Sequence, residues 1–253
     1  MGNKAHSAVV EPKIVVEKLT QSSIDTAAGH FSLAGATPSS TTPGTLELSK
    51  KSFLVHMAPY LDETSWPKIM LERLFAVADL NNSGSFLKFE DYISLLYVIG
   101  PTGTKEEKLQ LIFRLYDWDA SGYITKKSMA KMMSISTGMN QVTSSWKVMV
   151  TKYDRYEGTL FENIEKLSKS DLSSISDPMV DTAMSFYDKD KDGKLNYEEW
   201  CNFALDSVEI DVLIQTWESP LRHDSPWSGM SIKAKKDENV ACIKHQSNNS
   251  RNW

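Results

Sequence analysis

Apolar residues recur at helical spacing through most of residues 46–218 and thin out on both sides of that block. Phe89, Tyr92, Ile93, Leu96 and Tyr97 fall at i, i+3, i+4, i+7 and i+8, the stripe of one helix face. Leu109, Ile112, Phe113 and Tyr116 repeat it, as do Met179, Ala183, Phe186 and Tyr187, and then Trp200, Phe203 and Ala204. Met129, Met132 and Met133 line a further helix, and Ile210, Leu213, Ile214 and Trp217 share one side of Val208–Trp217. The pattern predicts an all-α protein of paired helix–loop–helix units, with a mostly irregular N-terminal arm at 1–45 and one short helix near Ile14–Leu19. Two helix–loop–helix units and a remnant of a third fill 46–134, a helical insertion or degenerate unit 135–176, and a last unit with its following helix 177–218. Residues 219–253 form a polar tail made basic by Lys233, Lys235 and Lys236.

Three acidic, glycine-containing loops interrupt the helices, beginning at Asp79, Asp117 and Asp188. A twelve-residue loop wraps a hard cation when it offers oxygens at positions 1, 3 and 5, a backbone carbonyl at 7, a polar group at 9 and a bidentate carboxylate at 12. A glycine at 6 allows the sharp turn. The loop 188–199 meets every condition: Asp188, Asp190, Asp192, Gly193, the Lys194 carbonyl, Asn196 and Glu199. Four converging carboxylates favour tight Ca²⁺ binding. The loop 79–90 offers Asp79, Asn81, Ser83, the Ser85 carbonyl and Glu90, with fewer charges and weaker binding expected. The loop 117–128 offers Asp117, Asp119, Ser121, the Tyr123 carbonyl and Thr125, but ends on Ser128, which cannot bind an ion bidentately. It is expected to be structural, with weak Ca²⁺ or Mg²⁺ binding as the alternative. One or two calcium ions per chain follow.

These loops fit the EF-hand pattern, and EF-hands pair, so three demand a fourth. The spacing of the loop starts favours 154–165, with Asp154 and Glu165 at its ends but Tyr156 and Thr159 at positions 3 and 6. A collapsed loop at 43–53 running into the helix Leu48–Tyr60 is the other candidate.

Composition narrows the function. The net charge of −5 gives no general reason to expect nucleic acid. No apolar run approaches the roughly 18–20 residues of a membrane span, and no leader pattern opens the chain. Cys201 and Cys242 read as reduced thiols of a cytoplasmic protein. Met1-Gly2-Asn3-Lys4-Ala5-His6-Ser7 is an incomplete myristoylation start, since His6 stands where Ser or Thr is needed; without that lipid no membrane partner is expected. No nucleophile–base pair, phosphate loop or zinc spacing is present, so a binding module is expected rather than an enzyme.

The run GPTGTKEEKLQLIFRLYDWDASGYIT at 100–125 resembles the junction of the second and third hands in the neuronal calcium sensor and calcineurin-B group. That group begins with a degraded hand whose Gly-x-Leu remnant is similar to Gly44-Thr45-Leu46. The resemblance implies pairing of 39–50 with 79–90 and of 117–128 with 188–199. It implies a calcium sensor that grips a protein target, a helix or filament component, in a groove opened by the ion. Among relatives of that group the chain looks most like axonemal sensors of outer-arm dynein, which implies a dynein or docking-complex partner in a cilium or flagellum. A regulatory phosphatase or kinase subunit, and a constitutive axonemal or microtubule-associated component using its arms, are the alternatives.

Overall fold

The computed structural model describes residues 11–40, 42–60, 68–131, 180–207, 210–211, 214–215, 217 and 225–233. The expected insertion at 135–176, the candidate loop 154–165, Met132, Met133, Met179, Cys242, Gly2 and Trp253 lie outside these residues.

Helices α1 (Pro12–Lys18) and α2 (Gln21–Leu33) open the described chain. Strands β1 (Thr37–Pro38) and β2 (Leu46–Ser49) follow, then α3 (Lys50–Met57), α4 (Lys68–Ala78), β3 (Phe86–Lys88), α5 (Phe89–Ile99) and α6 (Lys105–Tyr116). Strand β4 (Ile124–Thr125) leads into helical residues 126–131. Helical residues 180–187 precede β5 (Lys194–Leu195) and α7 (Tyr197–Asp206). No helix among the described residues is long and apolar enough to cross a membrane.

The short strands decide which hands pair. β2 runs antiparallel to β3 with Leu48 opposite Leu87, and β4 to β5 with Ile124 opposite Leu195. All four of these side chains are buried. The upstream remnant therefore completes the first pair, and 117–128 pairs with 188–199. The residue that fills the pleat is Leu48, two places beyond the exposed Leu46 of the Gly-x-Leu remnant.

Between residues 11 and 40 the arm is mostly helical rather than irregular. Thr20 caps α2 by accepting a hydrogen bond from the Ser23 N–H (3.3 Å), and Ser23, Ala27 and Phe31 form its buried stripe against α5. Phe31 packs edge-on to Phe89 (5.6 Å between ring centroids) and against Tyr92 (5.2 Å). The tail also folds back. The Thr20 N–H donates to the Ser231 carbonyl and the Lys233 N–H to the Lys18 carbonyl, with Leu19 bridged antiparallel to Ile232. Trp227, 2% exposed, lies against Tyr60 and the Gly100 backbone. It is thus core rather than an exposed contact of the tail.

The junction between the two pairs is pinned from within. Lys108 is fully buried, and its Nζ donates to the carbonyls of Gly100 (2.8 Å) and Gly103 (2.6 Å). Two carbonyls satisfy an ammonium that would otherwise be costly to bury. A Cβ at Gly103 would run into the Val98 backbone, so the turn needs glycine there. Thr104 and Glu107 then cap α6 reciprocally.

His30 and His56 meet under the arm, 6.0 Å between ring centroids, with His56 Nε2 3.1 Å from the Tyr92 hydroxyl. Burial holds both imidazoles below their ordinary value near 6.5, and at His56 the neighbouring His30 adds to this. The unfolded chain therefore takes up protons first as pH falls through that value. The pair's contribution is complete above it and erodes below. Thermal unfolding midpoints measured from neutral to mildly acidic pH should fall, and His56→Gln should flatten the slope.

Candidate metal centre

The three acidic loops share one backbone through position 7. Positions 4 and 6 lie in the left-handed region in each: Asn82, Ala120 and Lys191 (φ 53°, 53° and 60°), then Gly84, Gly122 and Gly193 (φ 68°, 82° and 85°). The first carboxylate gathers the same two amides each time. Asp188 accepts the N–H groups of Asp192 (3.2 Å) and Gly193 (2.9 Å), Asp117 those of Ser121 (3.0 Å) and Gly122 (2.8 Å), and Asp79 those of Ser83 (3.1 Å) and Gly84 (2.6 Å). The expected turn chemistry is thus present at all three; the loops differ in how they close.

In 188–199, Asp188, Asp190 and Asp192 bring carboxylate oxygens within 4.8 Å of one another, among the described residues the one such cluster of three acidic or metal-binding side chains. Glu199, 6% exposed, is curled inward. Its Oε1 accepts the Lys189 N–H (2.8 Å) and its Oε2 the Asn196 N–H (3.0 Å), while Asn196 caps α7. The Asp190 carboxyl is held above its ordinary value: the Asp192 N–H pulls it down, but desolvation and the charges of Asp192 and Glu199 outweigh that donor. A divalent cation would relieve this crowding of like charge. The donor set is hard oxygen throughout, so the loop fits Ca²⁺, which Asp188, Asp190, Asp192, Glu199 and the Lys194 carbonyl would hold with Asn196 at the rim.

In 117–128 no carboxylate closes the loop. Ser128 is buried and its hydroxyl lies 3.0 Å from that of Thr125, the residue that caps the next helix. Burial holds the Asp117 carboxyl above its ordinary value, with the Gly122 and Ser121 amides opposing; Asp119 lies below its own, chiefly through its hydrogen bond with Ser121. Two charges and no twelfth ligand fit Ca²⁺ poorly. Arg73, on α4, donates to the carbonyls of Arg114 (2.7 Å) and Asp117 and lies over the Trp118 ring, 5.3 Å from its centroid. It ties this loop to the first pair, a role with no signature in the sequence.

The loop 79–90 departs from expectation. Glu90, the expected bidentate ligand, is exposed, whereas the next residue, Asp91, is 3% exposed and faces inward. Asp91 Oδ2 accepts the Lys88 N–H (3.0 Å) and an Asn81 side-chain N–H (2.9 Å). The cause is one extra residue. Leu87-Lys88-Phe89-Glu90-Asp91-Tyr92 takes the place of Leu195-Asn196-Tyr197-Glu198-Glu199-Trp200, so the closing carboxylate comes at position 13. Ile124-Thr125-Lys126-Lys127-Ser128 and Leu48-Ser49-Lys50-Lys51-Ser52 follow the same plan, with Ser49 capping α3. Each pair thus joins a hand closed by serine to one closed by a carboxylate. Counting back from Leu87 rather than forward from Asp79 finds the shift in the sequence.

Comparison with known proteins agrees with this geometry. A family model described as an EF-hand domain pair matches residues 87–136, and one described as an EF hand matches 179–204. These residues carry EF-hand modules, and Ca²⁺ is the ion such modules bind. Its relatives include a recoverin family protein of Dictyostelium discoideum, 31% identical over 143 residues, which are 55% of this chain and 56% of the relative. The calcineurin-B protein of Schizosaccharomyces pombe is 29% identical over 131 residues, 52% of this chain and 58% of the relative. The chain thus spans little more than half the length of these curated relatives. Lysophosphatidylcholine acyltransferase 2 of Mus musculus is 36% identical over 76 residues, but these are 14% of its own length, so its catalytic name does not transfer. The EF-hand matches agree with the reading of a binding module rather than an enzyme.

Proposed function

We propose that the chain is a calcium-responsive binding module in which Ca²⁺ at 188–199 changes the hold on a protein partner. Glu199 carries this reading. One carboxylate links the start of the loop, through Lys189, to the cap of α7, through Asn196, and the next residue, Trp200, is fully buried against Phe113 (5.4 Å between ring centroids). Drawing that carboxylate onto an ion moves the start of α7 and the aromatic cluster with it. Ile210, Ile214 and Trp217 are buried in the helix that follows, as the apolar spacing predicts, and this helix is the candidate cover of the second pair's groove.

The partner is a protein helix or filament component. The resemblance to axonemal sensors of outer-arm dynein supports an outer-arm dynein or docking-complex partner and a place in the cytoplasm, at the axoneme of a cilium or flagellum. Similarity to the calcineurin-B protein supports a second reading, a regulatory component of a phosphatase. Affinity capture with the full chain, in calcium and in chelator, separates sensor from scaffold. A sensor retains its partner with a difference of about tenfold, the size of an ordinary coupling free energy. Equal retention in both conditions would overturn the sensor and leave a constitutive structural component.

A further inference from the structure

We infer that the second hand, residues 79–91, closes without a cation, so that the chain takes up one Ca²⁺ rather than two. This rests on the reading of 188–199 as the calcium loop, but its grounds lie elsewhere. The oxygens at positions 5, 7 and 12 that counting from Asp79 assigns to an ion at 79–90 are committed to the protein or turned away. The Asn81 side-chain N–H donates to Asp91, which ties position 3 to the close of the loop. The Ser83 hydroxyl donates to the Phe86 carbonyl (2.7 Å) and accepts the N–H groups of Phe86 (3.0 Å) and Ser85 (3.3 Å), so the position-5 ligand is what holds the lengthened turn together. The Ser85 carbonyl, expected at position 7, accepts the Lys50 N–H of the paired hand at 2.8 Å. Glu90 lies exposed.

Asp91 does not replace Glu90 as an ion ligand. It is one methylene shorter than Glu199 and stands one place further along a lengthened loop. The remaining charge, Asp79 and Asp91, is half that of 188–199, and ligand charge sets affinity in such loops. The Asn81–Asp91 hydrogen bond joins the start of the loop to its close. The first pair is then fixed in one arrangement, with α1 and α2 packed on α5 whatever the calcium level.

The test is a calorimetric titration of the full chain with Ca²⁺. The expected result is one ion per chain, with Glu90→Gln and Asp91→Asn each leaving stoichiometry unchanged and affinity within about twofold. Asp91→Asn keeps an oxygen for the Lys88 N–H, so the cap of α5 survives. Two ions in the parent chain, with one lost in either variant, would overturn the inference while leaving the sensor intact. One ion that disappears in Glu90→Gln but persists in Glu199→Gln would overturn both.

Discussion

Glu199→Gln is expected to weaken calcium binding on the order of 100-fold, about 2.7 kcal/mol. The substitution removes one of four charges and one of the two oxygens that a bidentate ligand supplies. It also acts before any ion arrives. Glu199 accepts the Lys189 N–H with one oxygen and the Asn196 N–H with the other. A glutamine can serve only one of these and turns an N–H group toward the other. Two donors then face each other in a site that is 6% exposed. The unmet hydrogen bond costs about 1–3 kcal/mol, and the loss of a negative charge in the first turn of α7 adds a few tenths. Scanning calorimetry without calcium should therefore show a lowered midpoint, and titration should show the ion gone from the micromolar range. Unchanged calcium affinity in a folded variant would remove 188–199 as the calcium loop.

Phe31→Ala should cost about 3–5 kcal/mol, the range for truncating a buried aromatic side chain. Phe31 is 2% exposed and closes the arm over Phe89 and Tyr92, next to the His30–His56 contact. Its loss leaves α2 with Ala27 and Ser23 as buried contacts, too little apolar area to hold a thirteen-residue helix against its own entropy. The arm should come away and uncover the side of α5 that it now packs on. A rise in hydrophobic dye binding in the absence of calcium is the expected sign. A loss below about 1 kcal/mol with no dye binding would mean that the arm contributes little to this core.

The acidic loops were legible because coordination chemistry dictates the spacing of such a pattern. Aspartates at alternate positions and a glycine at the sixth read directly as a turn around a cation, and the structure gives all three loops that backbone. The closing residue was less legible at 79–90. Two acids stand side by side there, Glu90 and Asp91, and counting forward from Asp79 selects the wrong one. The apolar Leu87, which must meet Leu48, sets the true register, and its burial is a tertiary fact. The pairing of hands was open for the same reason: spacing favoured 154–165, and only the ladder of β4 on β5 excludes it as the partner of 117–128. The arm escaped because its buried stripe is made of Ser23, Ala27 and Phe31, whose small members carry little periodic signal. The tail escaped because Trp227 and Met230 anchor a turn and a single bridge rather than a helix or strand.

The bridge between Leu19 and Ile232 has a mechanical meaning. Its two strands run antiparallel, with the Lys18–Lys233 hydrogen bond at one end and the Thr20–Ser231 bond at the other. The chain leading to Lys18 and the chain leaving Lys233 meet at the same end. Tension between them would load Lys18–Lys233 first and part the contacts in sequence, as a zipper opens, instead of shearing them together. The tail would peel from the α1–α2 junction at low force and draw Trp227 after it. The two capped pairs of hands, whose strands lie far inside this clasp, would be spared until it had opened.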